Sequence, residues 1–436
     1  MAAILGFVSQ WLPAISEPLS VQASQSSQSP QSPQSPLSSQ SGSSLTLHDV
    51  EILALQHNRE VSRAALEVSK SEASLRAVQT TRYPTILGIA FIGQQVTQSA
   101  PQNLAILPGV FEPVTQQYRL GMQVRQAKLL VQIAKQQLRL TKQNAVADAK
   151  KTYLRMVALR SAIKSREQNL AYLRTLVGYV DAEVKRGAAL RVDLMVVQAK
   201  EATAEYELAR DSDDYITAAQ TLNQLLDRPL KAIIEVADDR SMLEPVVANE
   251  SAAAQAVARR PEVARLRFSA ERSYLEQKVL ISRYIPDISF GATGIFSRKL
   301  DITLPRSFIS IGFLGVWEPW DWGRRIDQSK VAKRERMQSL VELSDVSDKV
   351  SVEADNAQRV QRVVEKELRA AQLTMVSAEE QLRVADKRYR AGATLLKDVA
   401  EAQAAFSDAI SKNVKAKTDY ATSQVEVDKA IGKDFD

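Results

Sequence analysis

Two spacings of apolar residues alternate along this chain. Long stretches place them three and four positions apart, as a helix with one buried stripe does; short stretches place them two apart, as a strand with one buried face does. The helical spacing runs from about Thr46 to Arg82, with Asp49 set to complete a capping box on Thr46. Tyr83-Pro84 ends it, because the residue before a proline avoids helical backbone. The pattern resumes from about Arg125 to Lys185, where Met156, Leu159, Ile163, Leu170, Leu173, Val177, Val180 and Val184 make a coiled-coil seam interrupted by Arg166. Gly187 breaks this rod, and Leu190 to about Leu226 supplies an antiparallel return. The plan then repeats, with helices over about Ala252–Ser282, Arg324–Tyr389 and onward to about Ile431, and Gly392 at the turn.

The repeat is visible in the letters. Arg186-Gly187-Ala188-Ala189-Leu190-Arg191-Val192-Asp193 recurs as Ala391-Gly392-Ala393-Thr394-Leu395-Leu396-Lys397-Asp398, about 205 residues on. Glu60-Val61 recurs as Glu262-Val263, and Arg82-Tyr83-Pro84 as Arg283-Tyr284-Ile285-Pro286. The chain divides accordingly into a leader (1–44), a first copy (45–250) and a second copy (251–436). Residues 1–23 read as an atypical export signal, apolar but without a preceding Lys or Arg, and residues 24–44 as a flexible Ser/Gln/Pro leader.

Between the first and second helix of each copy the period falls to two. Residues 85–96 are free of charge, and residues 115–124 alternate Tyr118, Leu120, Met122 and Val124 with Arg119, Gly121 and Gln123. In the second copy, residues 287–296 put Ile288, Phe290 and Phe296 on one side, and residues 308–317 do the same with Ile309, Ile311, Phe313 and Trp317. Ten-residue strands with one apolar face are the signature of a transmembrane β-strand. Trp317, Trp320 and Trp322 cluster where strand gives way to helix, the place of an interfacial aromatic belt. Four strands are too few to close a barrel, and lipid does not tolerate an open sheet edge, so several copies must share one sheet.

Composition narrows the chemistry. With 57 basic and 51 acidic residues interspersed along 436, the net charge of +6 marks solvated helix faces and gives no basic stripe for nucleic acid. There is no cysteine, hence no disulfide or thiolate site. His48 and His57 are the only histidines, and neither they nor any Gly-rich Lys loop suggest a metal, a cofactor or nucleotide hydrolysis. No catalytic constellation is present, so energy for any transport must come from a partner.

Several motifs resemble those of the TolC-like outer-membrane efflux family: Leu45-Thr46-Leu47-x-x-Val50, Tyr83-Pro84, Asn223-Gln224-Leu225-Leu226-Asp227-Arg228-Pro229-Leu230, Trp317-Glu318-Pro319-x-Asp321-Trp322-Gly323-Arg324-Arg325, and Tyr389-Arg390-Ala391-Gly392. Their order covers about residues 45–431. The resemblance implies a trimer, with four strands per subunit in one 12-stranded outer-membrane β-barrel continuous with a long α-helical barrel in the periplasm. It further implies a periplasmic adaptor and an inner-membrane pump, proton- or ATP-driven, as partners. The expected function is the exit channel of a tripartite efflux system for small amphipathic compounds. A duct for type I protein secretion and a non-transporting coiled-coil envelope protein stay open as alternatives.

The resemblance places the turns at Gly187 and Gly392 at the periplasmic tips, loops at about 97–113 and 298–306 outside, and about 228–250 in a belt round the tunnel. It implies an acidic gate at Asp398 and Glu401. Arg186, Gly187, Arg191, Asp193, Tyr389, Arg390, Gly392 and Thr394 are expected to serve tip closure or adaptor contact, with Arg191 or Arg390 as candidate partners for Asp193. Thr394 stands where the family has a basic residue, and the 319–323 transition has no clear counterpart in the first copy.

Overall fold

The computed structural model describes residues 45–93, 103–188, 190–236, 252–298, 307–391, 393–394 and 396–434. The expected export signal and leader, the outer part of both expected loops, residues 237–250 and Gly392 lie outside the described residues. The elements are α1 (Leu47–His57), α2 (Arg59–Thr80), β1 (Thr85–Gly93), β2 (Asn103–Pro113), α3 (Gln117–Lys185) and α4 (Arg191–Leu225). The same order follows again in α5 (Ala252–Arg259), α6 (Pro261–Ser282), β3 (Asp287–Arg298), β4 (Ser307–Val316), α7 (Arg324–Arg390) and α8 (Leu396–Ile431).

One strand differs from the sequence reading. Residues 117–124 begin α3, and the second strand is Asn103–Pro113, within the stretch expected to be loop. The alternation at 118–124 was shared with a helical stripe, since Met122, Val124, Ala127, Val131 and Ala134 are buried along α3. Prolines masked the true strand. Pro108 has no N–H to donate, and the β2–β3 register runs 104–106 and 109–113, skipping Leu107 and Pro108.

Each expected first helix also breaks in two. Asn58 ends α1 and caps α2, its Oδ1 accepting from the Glu60 and Val61 N–H groups at 2.9 and 3.3 Å. In the second copy Arg260 ends α5 and Pro261 opens α6, where a missing N–H costs nothing. The capping box at Thr46–Asp49 forms as expected, with Asp49 Oδ2 accepting from the Thr46 N–H at 3.0 Å and Thr46 Oγ1 from the Asp49 N–H at 3.2 Å.

These breaks let short helices stack end to end beside two unbroken rods. At 69 and 67 residues, α3 and α7 each run about 100 Å. Next to α3, α4 ends where α2 begins: Asn58 Nδ2 donates to the Leu225 carbonyl at 3.0 Å and Arg59 Nε to Asp227 at 2.6 Å. Between α3 and α7, α8 ends where α6 begins, Gly432 lying against Arg260, and this end is tied to α3 by Gln143 Nε2 donating to the Lys433 carbonyl at 3.0 Å and Arg139 paired to Asp434. Both upper ends of these return helices close alike, Arg228 N–H to Asn223 O at 2.8 Å over Asp227 (φ 51°) and Lys433 N–H to Asp428 O at 3.0 Å over Gly432 (φ 77°). At the first joint Asp227 takes the left-handed position that Gly432 takes at the second, and its carboxylate also pairs with Arg59.

The main core lies at the first joint. Val50 and Ala54 of α1, Ala149, Tyr153 and Met156 of α3, and Ala218 and Leu222 of α4 pack with Ile234 and Val236. Tyr153 donates its hydroxyl to the Leu45 carbonyl at 2.7 Å, and Leu45 bridges Val236 in parallel. The described part of the expected belt, residues 228–236, is thereby fastened against the helical wall.

Candidate functional site

The four strands form one antiparallel sheet in the order β1-β2-β3-β4. Register carries one apolar face across it: Ile86 opposes Val110, Ile106 opposes Phe296, and Phe290 opposes Phe313 with ring centroids 5.2 Å apart. Ile309, Ile311 and Phe313 continue this row, and Phe313 is 73% exposed. Rows of bare isoleucine and phenylalanine are stable only against lipid or another apolar surface. On the opposite face the Phe111 ring covers Gly109 and Gly291, so closely that a Cβ at Gly291 would lie 2.4 Å from the ring and 2.5 Å from the Val110 carbonyl oxygen. Among the described residues each outermost strand, β1 and β4, pairs on one side only.

All four strands meet helices at the same end. In the first copy Thr115 makes the passage, its hydroxyl donating to the Pro286 carbonyl at 2.7 Å and accepting from the Ile288 N–H at 2.8 Å. In the second, Asp321 caps α7 by accepting from the Gly323 and Arg325 N–H groups at 3.2 and 3.0 Å, with Trp322 (φ 57°) and Gly323 (φ 84°) in left-handed backbone. The two passages therefore differ, as their sequences do. Trp317, Trp320 and Trp322 are all exposed at this level, and Trp320 and Trp322 meet edge to face at 5.9 Å.

At the far end, Gly187 (φ 73°) closes α3, with Ala188 N–H bonded to Glu183 O at 2.9 Å. The second tip repeats that bond as Ala393 N–H to Arg388 O at 2.9 Å. Arg186 pairs within its own helix to Glu183, and Arg191 is exposed. Asp193 accepts from the Leu190 N–H at 3.3 Å and so caps α4. Tyr389 and Arg390 end α7, and the Thr394 hydroxyl is enclosed with no partner among the described residues. Asp398 lies in the first turn of α8, exposed, and Glu401 one turn on faces Lys397 at 3.9 Å. The structure thus brings Asp398 and Glu401 to one helix end; Asp193 serves the other hairpin's turn.

Sequence reasoning missed two polar clusters. Arg166, an apparent flaw in the seam, pairs with Glu207 and with Asp211 of α4, whose side chain is nearly buried. Arg260, buried in the second joint, donates to Glu262 and Glu353, both at 2.6 Å. Burial acts to raise the Glu262 carboxyl, yet the Arg260 hydrogen bonds outweigh it and hold the group below the usual carboxylate range. The recurrence of Glu60 at Glu262 was the available signal. Among the described residues no cluster of three His, Asp or Glu could hold a metal ion, and no helix is long and apolar enough to cross a membrane.

Comparison with known proteins agrees with this geometry. The family model of outer membrane efflux proteins matches residues 52–228 and 252–433. Among solved structures, CusC matches with a TM-score of 0.77 at 14% identity, covering 88% of this chain and 92% of its own. The Campylobacter jejuni outer-membrane channel CmeC matches at 0.74 and 16%, covering 96% and 95%. The open state of the Neisseria gonorrhoeae outer-membrane channel MtrE matches at 0.76 and 15%, covering 88% of each. No curated protein matches the sequence at a significant level. The fold matches trimeric outer-membrane efflux channels with a long helical barrel, and the four-stranded sheet is consistent with four strands per subunit. The chain belongs to the outer membrane efflux protein family, a channel fold placed in the outer membrane with a large helical part in the periplasm.

Proposed function

We propose that three copies of this chain close their sheets into one barrel and act as the passive exit duct of a tripartite efflux system for small amphipathic compounds. The single observation that carries this reading is the pair of unpaired edges on a sheet whose apolar face is bare. In hydrocarbon each unpaired backbone group costs several kcal/mol, so β1 of one copy must meet β4 of the next. The same closure brings the exposed apolar residues of α7, such as Val341, Val352 and Val363, against the neighbouring copy.

A periplasmic adaptor docks at the tips, around Arg186–Asp193 and the Tyr389–Asp398 turn, and an inner-membrane pump supplies the energy. The chain offers no nucleotide-binding loop and acts as no enzyme. Asp398 and Glu401 of three subunits gather at the narrow mouth as an acidic ring, which draws cations and resists its own closure. Asp398→Asn with Glu401→Gln, recorded as single channels in planar bilayers, is expected to lower cation selectivity. Unchanged selectivity would sink the gate, and absence of any current from the unaltered protein would sink the duct.

A further inference from the structure

Where α3 and α8 meet, two serines hold each other's helix. Ser165 Oγ donates to the Ser407 carbonyl at 2.9 Å, Ser407 Oγ donates to the Ser165 carbonyl at 3.1 Å, and the two hydroxyl oxygens stand 2.6 Å apart. Both residues are buried, at 4% and 9% exposure. A serine inside a helix that bonds to backbone ordinarily turns back to the carbonyl one turn before it, as Ser212, Ser339 and Ser347 do. Ser165 and Ser407 reach across instead. A hydroxyl is short, so reciprocal bonds to backbone carbonyls require the two helices to pass almost in contact.

Open space lies on both sides of this clasp. One turn above it, a cavity of about 560 Å³ is lined by Ala162 of α3, Arg210 of α4 and Ser411 of α8. One turn tipward, a second of about 510 Å³ is lined by Asn169 of α3, Thr203 of α4 and Ala404 of α8. Higher still, Ala147 and Leu154 of α3 pack against Ala421 and Val425 of α8, beside the Lys151–Glu426 pair at 2.9 Å. Tipward, Leu170 and Leu173 turn to Ala204 of α4, and Arg174 pairs with Glu201 and Glu205, so these side chains tie the first hairpin to itself. We infer that the Ser165–Ser407 clasp is a pin that sets the separation of the two helical hairpins. Above it they form one wall; tipward of it the first turns of α8 move on their own. Asp398 and Glu401 stand nine and six residues tipward of Ser407, so the pin positions the end of α8 that carries them. Its bearing on the channel mouth rests on the proposed duct; the geometry of the pin does not.

The test is amide hydrogen exchange along α8 in the purified full-length protein. In the unaltered protein, protection is expected to step at Ser407, low over residues 399–405 and high over 409–430. Ser165→Ala with Ser407→Ala removes both donors and installs a better helix former, so the fold is kept. With two net hydrogen bonds gone, exchange over 399–405 is expected to run about 10- to 30-fold faster, while 421–430 changes by less than about threefold. Ser407→Ala alone keeps the Ser165 bond and is expected to give about three- to sixfold. Ser212→Ala, whose hydroxyl bonds within its own helix, is expected to change nothing. Uniform protection along α8 in the unaltered protein, or unchanged exchange over 399–405 in the double variant, overturns the pin. Equal acceleration over all of α8 also overturns it, because that marks a general loss of stability. Single-channel currents from the same preparations are expected to fluctuate more in the double variant; currents identical to those of the unaltered protein overturn the positioning of the mouth. No current from the unaltered protein overturns the duct, and the exchange step then decides the pin by itself.

Discussion

Asn58 offers the sharpest test of how the helical wall is jointed. The residue is 4% exposed and its side chain serves two helices at once, capping α2 through Oδ1 and holding the last carbonyl of α4 through Nδ2. Asn58→Ala removes an N-cap worth about 1 kcal/mol. It also strands the half-buried Leu225 carbonyl, for about 1–3 kcal/mol more. The sum is about 2–4 kcal/mol per subunit. Asn58→Ser separates the parts, because serine still caps but is too short to reach Leu225, so it should lose only the second share. The assay is hydrogen exchange of the Glu60 and Val61 amides, where 2–4 kcal/mol reads as about 30- to 1,000-fold faster exchange if opening is local. Exchange changed less than threefold in Asn58→Ala would refute the joint, and equal effects of Ala and Ser would refute its division.

Three further outcomes follow from the same geometry. Gly291→Ala forces a Cβ into the Phe111 ring and the Val110 carbonyl oxygen, so sheet assembly should lose about 1–3 kcal/mol, whereas Gly312→Ala, with nothing within 4 Å, should be tolerated; folded yield in detergent decides. Glu262 has a depressed folded pKa, so its stabilisation is complete above its unfolded value of 4.5 and disappears as pH falls through the lower folded value. Thermal melts from pH 6 to about 3 should show that loss in the unaltered protein and a flatter profile in Glu262→Gln; identical profiles would contradict it. Trp320→Ala with Trp322→Ala removes two exposed rings and should weaken retention in lipid bilayers without changing helix content, measured by liposome flotation and circular dichroism.

Much of this architecture was legible because local chemistry wrote it. Thr46 and Asp49 announce a capped helix, Tyr83-Pro84 ends one, and Gly187 stands at a left-handed turn. The second-copy strands were placed nearly to the residue, for they carry alternation without proline. In the first copy the first strand starts where expected, at Thr85, but the second was misplaced, since Pro108 and Pro113 read as loop while Tyr118 to Val124 alternate by accident inside a helix. The breaks at Asn58 and Arg260 had signals, an Asn before Glu60 and a proline at 261, but each sits inside a continuous apolar stripe that outweighs one residue. Arg166 and Arg260 were opaque for a different reason. Their partners, Asp211 and Glu353, lie 45 and 93 residues away, and only the packing of antiparallel rods brings them together. The tips are legible as turns; which neighbour each polar side chain meets depends on copies that one sequence does not display.

The central claim is that the two bare edges of this sheet belong to each other across subunits. Within one chain β1 and β4 stand three strand spacings apart, about 14 Å, beyond the roughly 7 Å a disulfide can bridge. The natural chain has no cysteine, so pairs can be placed without interference, one at Ile89 and the second stepped through positions 309 to 315. After oxidation in the outer membrane, shared closure predicts covalent dimers and trimers at the β4 position that faces Ile89. Monomers alone at every position, or a bond within one chain, would contradict it.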